Sequence, residues 1–527
     1  MRSHLCLLSV CLVVLPANAR RVPDSGVYAI WYGRHGENLL DLPFVTGGQA
    51  VTQWQTVEPE PGRYDFTSLD RQLAPLQERG YKATVQVNGN RKPDFLYERV
   101  PYYPEKLSVQ IKDEQGSLMF WHPAHAKAYE QLIRALGQYL ETSPYRDAVL
   151  GVRLNFNAFG TEHSHLKSGE ARQAANWIVP PGGEPGTDWS VETVREYQDR
   201  VFEAHLEHIA PHVRVFVRNA LSEETLERHR QAFETGRLSW FHTSSEAEPR
   251  AGAEWRYRRF YEYCRSGKTT AYAEPWASAW GDHGGKTDDR ACSPPQWNYW
   301  RLLLDLHNGV SHIAGYSADL RVAADGTYRY NRKQSHDDKT AGTNYRDEFA
   351  AAFRFAAEYA GFHQAPGHAP GAWCAFRENE VVREANGRPP EKRKLEFYTG
   401  DYNFLMSRRP DRTEPLGVTG PDAQRFGGWA RRLPDGETVT LDLNPDFADS
   451  LQGQPATVAL VYLDTPDAGS TQILCGNSRG QVPRGKTDRW QRFELPVPAV
   501  TGRTVILTCR ERPVTLHMVE VRRQPRP

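Results

Sequence analysis

The sequence predicts an α/β fold, a (β/α)8 TIM barrel followed by a C-terminal all-β sandwich of jelly-roll type. Eight short, mostly apolar strands alternate with amphipathic stretches between residues 21 and 361. This alternation and length are typical of a barrel of eight parallel strands with helices outside them. After Gly361 the helical spacing stops, and short alternating segments separated by turns follow. Such a pattern is typical of a β-sandwich.

The barrel prediction depends on the order of its elements. The predicted strands are 27–31, 49–54, 82–87, 148–155, 213–217, 238–242, 270–274 and 311–316. Apolar residues recur at helical spacing between them, which predicts helices at 69–78, 126–141, 191–209, 223–233, 254–264, 295–307 and 346–359. Ser190 suits an N-cap and Gly361 a helix end. Residues 32–48 leave little room for a first helix.

The chain divides into three parts. We expect a signal peptide at 1–19, a barrel at 20–362 and a sandwich at 363–527. The sandwich strands are predicted at 438–443, 457–462, 490–495, 504–508 and 515–521, and Pro434-Asp435-Gly436 is typical of a turn between two of them. The sandwich either binds carbohydrate or caps the barrel, and the sequence favours neither.

The first residues have the features of a secretory signal peptide. Arg2 and His4 precede an apolar run, and Ala17-Asn18-Ala19 is an A-x-A cleavage site. The run is too short to span a bilayer, and no later segment is apolar enough to do so. We therefore expect a secreted or periplasmic protein without a membrane span.

Composition excludes some classes of partner. Lys plus Arg and Asp plus Glu both number 65, so no basic surplus indicates nucleic-acid binding. The 14 Trp and 24 Tyr residues fit large cores better than a general excess of stacking platforms. We see no phosphate loop, dinucleotide fingerprint or G-x-S-x-G elbow, and we expect no cofactor. The sequence does not indicate an oligomeric state.

Five cysteines follow the predicted cleavage site, and their spacing fits no metal site. Because export permits disulfides, Cys264 with Cys292 and Cys475 with Cys509 are possible pairs. Cys374 would then be left over.

The segment AYAEPWASAWGD, residues 271–282, carries the first candidate catalytic group. Glu274 stands where the seventh strand should end, and Trp276 and Trp280 follow closely. A carboxylate can attack or stabilise an anomeric carbon, and flat indoles can stack on sugar faces. A single Glu after a strand is weak evidence, but this combination suits a sugar site.

A more specific string, WQTVEPEPGRYDF, follows the second strand at residues 54–66. Its residues have structural explanations: Pro61-Gly62 makes a turn and Asp65 caps the next helix. Glu58 is therefore interpreted as structural. The string resembles the signature of family 42 glycoside hydrolases and related clan A barrels, over roughly residues 27–316.

The resemblance implies a retaining glycosidase with an acid/base Glu after strand four and a nucleophilic Glu after strand seven. Glu274 matches the second position. At the acid/base position after strand four, the family usually has Asn-Glu, whereas this chain has Asn157-Ala158. The nearest carboxylate is Glu162. Either the loop bends back at Gly160 to present Glu162, or the acid/base role is lost.

The expected mechanism needs two carboxyl groups roughly 5–5.5 Å apart, one ionised and one with a raised pKa. Glu274 would attack the anomeric carbon, and Glu162 would protonate the leaving oxygen and then deprotonate water. Arg153 could pair with Glu274 and lower its pKa, or could be a core ion-pair partner. Glu162, His163 and His165 also allow a metal site, a weaker interpretation.

Polar and aromatic residues at strand ends are candidates for substrate binding, although each could instead be structural. Asn155 and Asn157 could bind a sugar 2-hydroxyl. The candidates are Trp54, Trp121, His122, Asn155, Asn157, His163, His242, Tyr272, Trp276, Trp280 and Tyr316. Long connections at 88–123 and 156–189 lie at the same barrel face and could form a cleft.

Together these observations predict a secreted retaining glycoside hydrolase acting on an oligo- or polysaccharide. The resemblance implies a β-galactoside or galactan-type substrate, and the cleft between the long connections could take a polysaccharide, including an acidic algal one. The broken Asn-Glu pair motivates an alternative, a catalytically silent barrel that binds glycans. A second alternative is an inverting glycosidase, which would have its carboxyl groups roughly 6.5–9.5 Å apart.

Overall fold

The computed structural model describes most of the chain. The described residues are 22–34, 36–218, 223–243, 263–275, 293–326, 344–377, 381–384, 395–398, 400–416 and 424–524. The predicted signal peptide, Cys292, Trp276 and Trp280 lie outside these ranges, as does most of the helix predicted at 254–264.

Eight parallel strands close into a barrel, in chain order around the ring. They are β1 (Gly26–Ile30), β2 (Val45–Gln53), β3 (Lys82–Asn88), β4 (Val149–Arg153), β5 (Arg214–Val217), β6 (Leu238–Thr243), β7 (Ala271–Glu274) and β8 (His312–Tyr316). Closure is made by pairing of β1 with β8, with Ala29 opposite Gly315. Each strand overlaps one of the eight predicted segments, and the barrel prediction is confirmed.

The described helices follow the strands on the outside of the barrel. They are α1 (Trp54–Val57), α2 (Thr67–Glu78), α3 (Pro123–Thr142), α4 (Val191–His208), α5 (Glu223–Arg228), α6 (Arg230–Glu234), α7 (Pro294–His307), α8 (Ser317–Asp325) and α9 (Arg346–Tyr359). The Ser190 hydroxyl accepts a bond from the Thr193 amide at the start of α4, so the predicted N-cap is confirmed.

The described helices differ from the predicted helices at two places, and a third segment is as expected. The helix predicted at 223–233 is divided into α5 and α6 at His229. Residues 32–48 hold only two 3-10 turns before β2, as the short connection suggested. Helix α8 was not predicted, because its few apolar positions directly continue the eighth strand.

The interior of the barrel has an apolar part and a polar part. The apolar part is a cluster of Tyr28, Ile30, Leu150, Phe216, Phe241, Tyr272 and Ala314. Towards the carboxyl ends of the strands, polar side chains of β2, β3, β4 and β7 line the interior instead of apolar ones. Because all eight strands are parallel, these side chains meet at one mouth of the barrel, where barrel enzymes place their active sites.

The long connections after β3 and β4 are structured and joined to each other at this mouth. Tyr102–Tyr103 pairs with Ser117–Leu118 inside the first connection. Tyr102 also pairs with Ile178 of the second, with backbone bonds of 3.0 and 2.9 Å in the two directions. The position of one loop is therefore tied to the position of the other.

The C-terminal part contains antiparallel sheets and one short helix. Its elements are β9 (Gly371–Ala375), β10 (Val381–Glu384), β11 (Leu395–Tyr398), β12 (Tyr402–Phe404), β13 (Met406–Arg408), β14 (Glu414–Leu416), β15 (Ala430–Leu433), β16 (Thr438–Leu443), α10 (Pro445–Leu451), β17 (Ala456–Asp464), β18 (Ser470–Cys475), β19 (Ser478–Gln481), β20 (Arg489–Val497), β21 (Thr504–Arg510) and β22 (Val514–Arg523). A seven-stranded sheet is built around β22, and a five-stranded sheet has the order β13-β16-β21-β18-β19. The predicted all-β C-terminal part is confirmed.

The seven-stranded sheet and its loops pack against helices of the barrel. All 14 residues of α7 are buried. Trp300 donates from its indole to the Gly427 carbonyl over 2.6 Å, and Tyr359 of α9 donates to Glu520 over 2.5 Å. Barrel and sandwich therefore share an interface that contains both apolar and hydrogen-bonded contacts.

One disulfide prediction is wrong. Cys475 and Cys509 are buried free thiols on the neighbouring strands β18 and β21, and the register pairs Cys475 with Val505 and Cys509 with Thr471. The two cysteines thus lie out of register along the strands, too far for a disulfide. Cys264 is likewise a buried free thiol in the structure. Among the helices described, none is long and apolar enough to cross a bilayer.

Candidate active site

Glu274 is the last residue of β7, and its side chain points into the barrel at the polar mouth. It is 6% exposed. Tyr272 lies two residues earlier on the same strand, so its side chain points the same way. The Tyr272 hydroxyl donates to Oε2 of Glu274 over 3.0 Å. Strand alternation therefore supplies the first partner of this carboxylate.

Two glutamines from neighbouring strands complete the environment of Oε2. Gln49 of β2 donates over 2.8 Å, and Gln86 of β3 donates over 2.6 Å. Oε1 instead receives a bond of 3.1 Å from Nη1 of Arg153, the last residue of β4. Four donors from four strands thus fix the Glu274 carboxyl group.

Burial dominates the ionisation of Glu274. Removal from water raises the pKa of Glu274 to about 7, because it disfavours the charged form. The bonds from Tyr272, Gln86 and Gln49 and the charge of Arg218 act in the opposite direction. Near neutral pH this carboxyl group can therefore be present in both protonation states.

Glu162 reaches the same mouth from the connection after β4. Its carboxylate contacts the second terminal nitrogen of Arg153 and also Arg218, which follows β5. The chain reverses between Asn157, with φ of 46°, and Gly160, with φ of 85°. The bend at Gly160 is therefore present, and it places Glu162 beside the arginine that also contacts Glu274.

The two arginines are held by an aromatic ring as well as by charge. The guanidinium carbon of Arg153 lies 4.0 Å from the centre of the Phe241 ring, and that of Arg218 lies 5.6 Å from it. Such cation–π contacts are favourable in sites shielded from water. Phe241 of β6 therefore helps to hold both cations beside the carboxylates.

Two predicted stacking platforms are buried in the core, and these predictions are wrong. Trp54 is fully buried, donates to Glu58 over 2.8 Å and packs against Tyr129. Trp121 is 7% exposed and donates to the Thr187 carbonyl over 2.9 Å. Neither indole has a free face for a sugar.

Two asparagine candidates are buried and donate hydrogen bonds inside the barrel. Asn157 is fully buried; its amide donates to the Val87 carbonyl over 3.0 Å and accepts from the Gly89 amide over 2.7 Å. Asn155 is 1% exposed and donates to Asn88 over 2.9 Å. The predicted contact of Asn157 with a sugar hydroxyl is therefore wrong. The contact of Asn155 stays a prediction, because its Oδ1 has no hydrogen-bond partner among the described residues.

The prediction that His122 binds substrate is also corrected by the structure. It is 5% exposed and caps α3, where its Nδ1 accepts from the Ala124 amide over 3.3 Å. Burial lowers the pKa of His122, which keeps the ring neutral for this acceptor role. The capping role therefore accounts for His122 without a contact to substrate.

Four further candidates differ in where they lie. His163 is exposed and hydrogen-bonds Ser108 over 2.6 Å, and Tyr316 is partly buried at the end of β8. Tyr272 contacts Glu274 directly, as described above. The side chain of His242 is outside the described part of the chain. The structure thus brings together Tyr272, Glu274 and Glu162.

Within the ranges that the structure describes, no group of three His, Cys, Asp or Glu side chains is placed to hold a metal ion. At the weaker candidate metal site, Glu162 contacts two arginines and His163 contacts Ser108. These contacts account for both side chains.

Sequence reasoning missed Gln49, Gln86 and Arg218. A signal was present for the glutamines, because both interrupt apolar strands, GGQAV and ATVQV, at inward-facing positions. Arg218 had no such signal, since it follows a short strand with no acidic neighbour in sequence. Gln49 and Gln86 lie 225 and 188 residues away from their partner Glu274, and Arg218 is far in sequence from its partner Glu162.

Residues 46–155 match a family model described as beta-galactosidase, glycoside hydrolase family 42. The matched segment contains Gln49, Gln86 and Arg153, and it ends before Glu162 and Glu274. No curated protein has a significantly similar sequence.

Several solved structures resemble the chain at low sequence identity. A cold-adapted beta-galactosidase from Rahnella sp. R3 is 12% identical, with a TM-score of 0.38 over 66% of this chain and 57% of its own. An isomalto-dextranase from Arthrobacter globiformis T6 is 10% identical, with a TM-score of 0.30 over 94% and 96%. A family 6 carbohydrate-binding module of a Zobellia galactanivorans laminarinase is 10% identical, with a TM-score of 0.17 over 28% and 100%.

These structural scores are too low to assign an activity. The family-model match covers the three strands that supply Gln49, Gln86 and Arg153 to the mouth of a closed barrel. The chain therefore resembles the family 42 glycoside hydrolases of clan A, and this match supports a glycoside hydrolase enzyme.

Proposed function

We propose that the protein is a retaining glycoside hydrolase that cleaves O-glycosidic bonds by double displacement. The observation that carries the proposal is the shared guanidinium: Arg153 contacts Glu274 and Glu162 with its two terminal nitrogens. Two carboxyl groups held beside one planar cation are close enough to act on one sugar ring. This arrangement favours an enzyme over a silent glycan-binding barrel.

In the first step, Glu274 attacks the anomeric carbon and the bond to the leaving oxygen breaks. Glu162 gives its proton to that oxygen, and a covalent glycosyl ester with Glu274 results. Oε1 of Glu274 is the better nucleophile, because it accepts only the bond from Arg153 whereas Oε2 accepts three. Arg153 also links Oε1 to Glu162, because its other terminal nitrogen contacts the Glu162 carboxylate.

In the second step, water attacks the anomeric carbon of the ester and Glu162 takes the proton from that water. The bond to Glu274 breaks, and the sugar leaves with its original anomeric configuration. Arg153 and Arg218 each contact one oxygen of the Glu162 carboxyl group, which fixes its orientation for this role. For the preceding acid role, the entering sugar has to loosen at least one of these ion pairs.

We propose a β-galactoside or galactan-type polysaccharide as the substrate, with acidic algal polysaccharides included. The family-model match supports the galactoside, and the long connections after β3 and β4 supply walls for a polymer. The N-terminal residues support export to the periplasm or the medium. A sandwich that binds carbohydrate is compatible with this assignment, as is one that only covers the barrel.

Wild type, Glu274→Gln and Glu162→Gln should be tested on plant and algal polysaccharides and on aryl β-galactosides. Glu130→Gln is the matched control, because Glu130 is a surface residue paired with Arg200 outside the site. We expect both site variants to lose roughly 10²-fold or more in kcat and the control to retain activity. Retained activity in Glu274→Gln would remove the nucleophile assignment.

One observation favours a second candidate, an inverting hydrolase. A protonated Glu274 could act as the acid and an ion-paired Glu162 as the base, because burial raises the pKa of Glu274 to about 7. Proton NMR of the first product formed distinguishes the two mechanisms. Retention of the anomeric configuration supports double displacement, and inversion supports the alternative.

A further inference from the structure

Glu162 is not carried by a barrel strand. It belongs to a tight turn, residues 157–163, in which Phe159 and His163 form an isolated bridge with a bond of 2.7 Å. Strand β4 ends at Arg153, nine residues before Glu162. The place of this carboxylate therefore depends on whatever holds the 157–163 turn.

The main polar support of the turn is Gln110, from the connection after β3. Its Oε1 accepts a bond of 3.0 Å from the amide of Thr161 and a bond of 3.1 Å from the amide of Glu162. One side-chain oxygen thus satisfies two successive backbone donors, one of which belongs to Glu162 itself.

Gly160 permits this contact. Its φ of 85° lies in the left-handed region, and a Cβ atom there would lie 2.3 Å from Cβ of Gln110. Any other residue would both strain the backbone and push Gln110 away. The glycine and the glutamine are therefore complementary.

Two further side chains attach the start of the turn to the connection after β3. Lys92 is 3% exposed, and its ammonium donates to the carbonyls of Gly89 over 2.8 Å and Ala158 over 2.9 Å. Asn157 accepts from the Gly89 amide over 2.7 Å. These bonds fix residues 157 and 158. At the other end, the Thr161 hydroxyl donates to Asn90 over 3.3 Å and His163 hydrogen-bonds Ser108 over 2.6 Å, and Gln110 alone among these side chains accepts from the amide of Glu162.

We propose that Gln110 is a positioning residue for Glu162, an inference that rests on the proposed glycosidase function. A neutral amide adds no charge to the site, so its effect is geometric. By holding the Glu162 amide, Gln110 sets the distance from the Glu162 carboxyl group to the leaving oxygen. A displacement of about 1 Å at such a group can cost roughly 10²-fold in rate.

The test uses three variants of the full chain. Gln110→Ala removes the acceptor, and Gln110→Glu keeps an acceptor of the same length. Ser117→Ala is the matched control: its hydroxyl donates to the Glu105 carbonyl over 2.6 Å and accepts from the Leu107 amide over 2.8 Å. It therefore weakens the same connection without touching the turn.

Hydrogen–deuterium exchange of the peptide that covers residues 157–163 is the first measurement. We expect at least roughly tenfold faster exchange in Gln110→Ala, because two amides lose their acceptor. Exchange should stay near the wild-type rate in Gln110→Glu and Ser117→Ala. Unchanged exchange in Gln110→Ala would overturn the proposal.

The second measurement is the leaving-group dependence of kcat/KM. Protonation matters for phenyl β-galactoside and matters little for dinitrophenyl β-galactoside, whose phenolate leaves readily. We expect Gln110→Ala to lower kcat/KM roughly tenfold or more for the first substrate and less than threefold for the second. Equal losses on both substrates would show a structural role only and would overturn the positioning role.

Failure of the inference and failure of the proposed function give different results. If wild type cleaves no aryl β-galactoside, the two leaving groups are compared on aryl glycosides of the sugar whose polysaccharide it does cleave. If it cleaves none, the proposed function is refuted and the positioning role with it, whatever the exchange rates. If wild type is active and Gln110→Ala keeps both its exchange protection and its activity, only the inference fails.

Discussion

Nη1 of Arg153 lies 3.1 Å from Oε1 of Glu274, and the same guanidinium contacts Glu162 with its other terminal nitrogen. A planar fork can serve two carboxylates at once, whereas an ammonium is a single point charge. We predict that Arg153→Lys lowers kcat roughly 10²-fold, because one of the two carboxylates loses its orientation. Steady-state kinetics on an aryl β-galactoside check this prediction.

Arg214→Lys is the control for that variant. Arg214 is another arginine of the barrel, but it lies at the start of β5, at the opposite end, where Nη1 contacts His312 over 3.0 Å. It should change thermal stability more than kcat. A similar loss of kcat in both variants would mean that Arg153 only supports the barrel.

The pH dependence of kcat/KM follows from the raised pKa of Glu274, about 7. A nucleophile must be ionised, and Glu274 is ionised above its pKa. We therefore predict that kcat/KM of wild type rises with pH through about 7. A fall through the same range would contradict the nucleophile role and would support Glu274 as a general acid, since kcat/KM reports ionisation in the free enzyme.

Gln86 contributes to that pKa by donating to Oε2 of Glu274 over 2.6 Å. A bond to a charged acceptor contributes about 1.5–3 kcal/mol, which corresponds to a shift of about 1–2 pKa units. We predict that Gln86→Leu moves the acidic limb of the profile to higher pH by at least roughly one unit. The pH profile of kcat/KM measures this shift.

Thr84→Val is the matched control for Gln86→Leu. Thr84 lies two residues earlier on β3 and contacts the Tyr272 hydroxyl over 3.3 Å. Because this hydroxyl in turn donates to Glu274, Thr84 is connected to Glu274 only through Tyr272. Thr84→Val should move the acidic limb of the kcat/KM profile by clearly less than Gln86→Leu does. Equal shifts would indicate a general loosening of the barrel interior.

The strands of the barrel were predictable because they are short, apolar and separated by helical segments in regular alternation. The place of Glu274 followed directly from this order, since the last residue of a parallel strand lies at the mouth. Glu162 followed only as one of two alternatives. Its position depends on the reversal at Gly160 and on Gln110, which is 52 residues away in the sequence.

The partners of Glu274 and the buried aromatics show why the rest of the site was not predictable. Gln49 is 225 residues from Glu274, and no local spacing relates them. Trp54 stands at a strand end like a sugar platform, yet its indole is used by Glu58 inside the core. An aromatic residue near a strand end either packs in the core or stacks on a ligand, and only tertiary contacts distinguish the two roles.

The role of the sandwich can be tested through α7, whose buried face it covers. Gln296, Trp300 and His307 lie four and seven residues apart on this helix, and all three contact the C-terminal part. Loss of these contacts would expose a large indole and its neighbours to water. Covering the barrel is therefore one function that the sandwich performs.

We predict that a chain ending at residue 362 does not remain a soluble monomer, because the face of α7 around Trp300 is then exposed. Size-exclusion chromatography of the soluble fraction measures this outcome. In the full chain, Trp300→Ala should cost about 3–5 kcal/mol of unfolding free energy, as for other large core residues. Arg512→Ala, at an exposed pair with Asp467 on the sandwich, should cost under about 1 kcal/mol. A soluble, monomeric and active barrel ending at residue 362 would contradict the covering role and leave carbohydrate binding as the function of the sandwich.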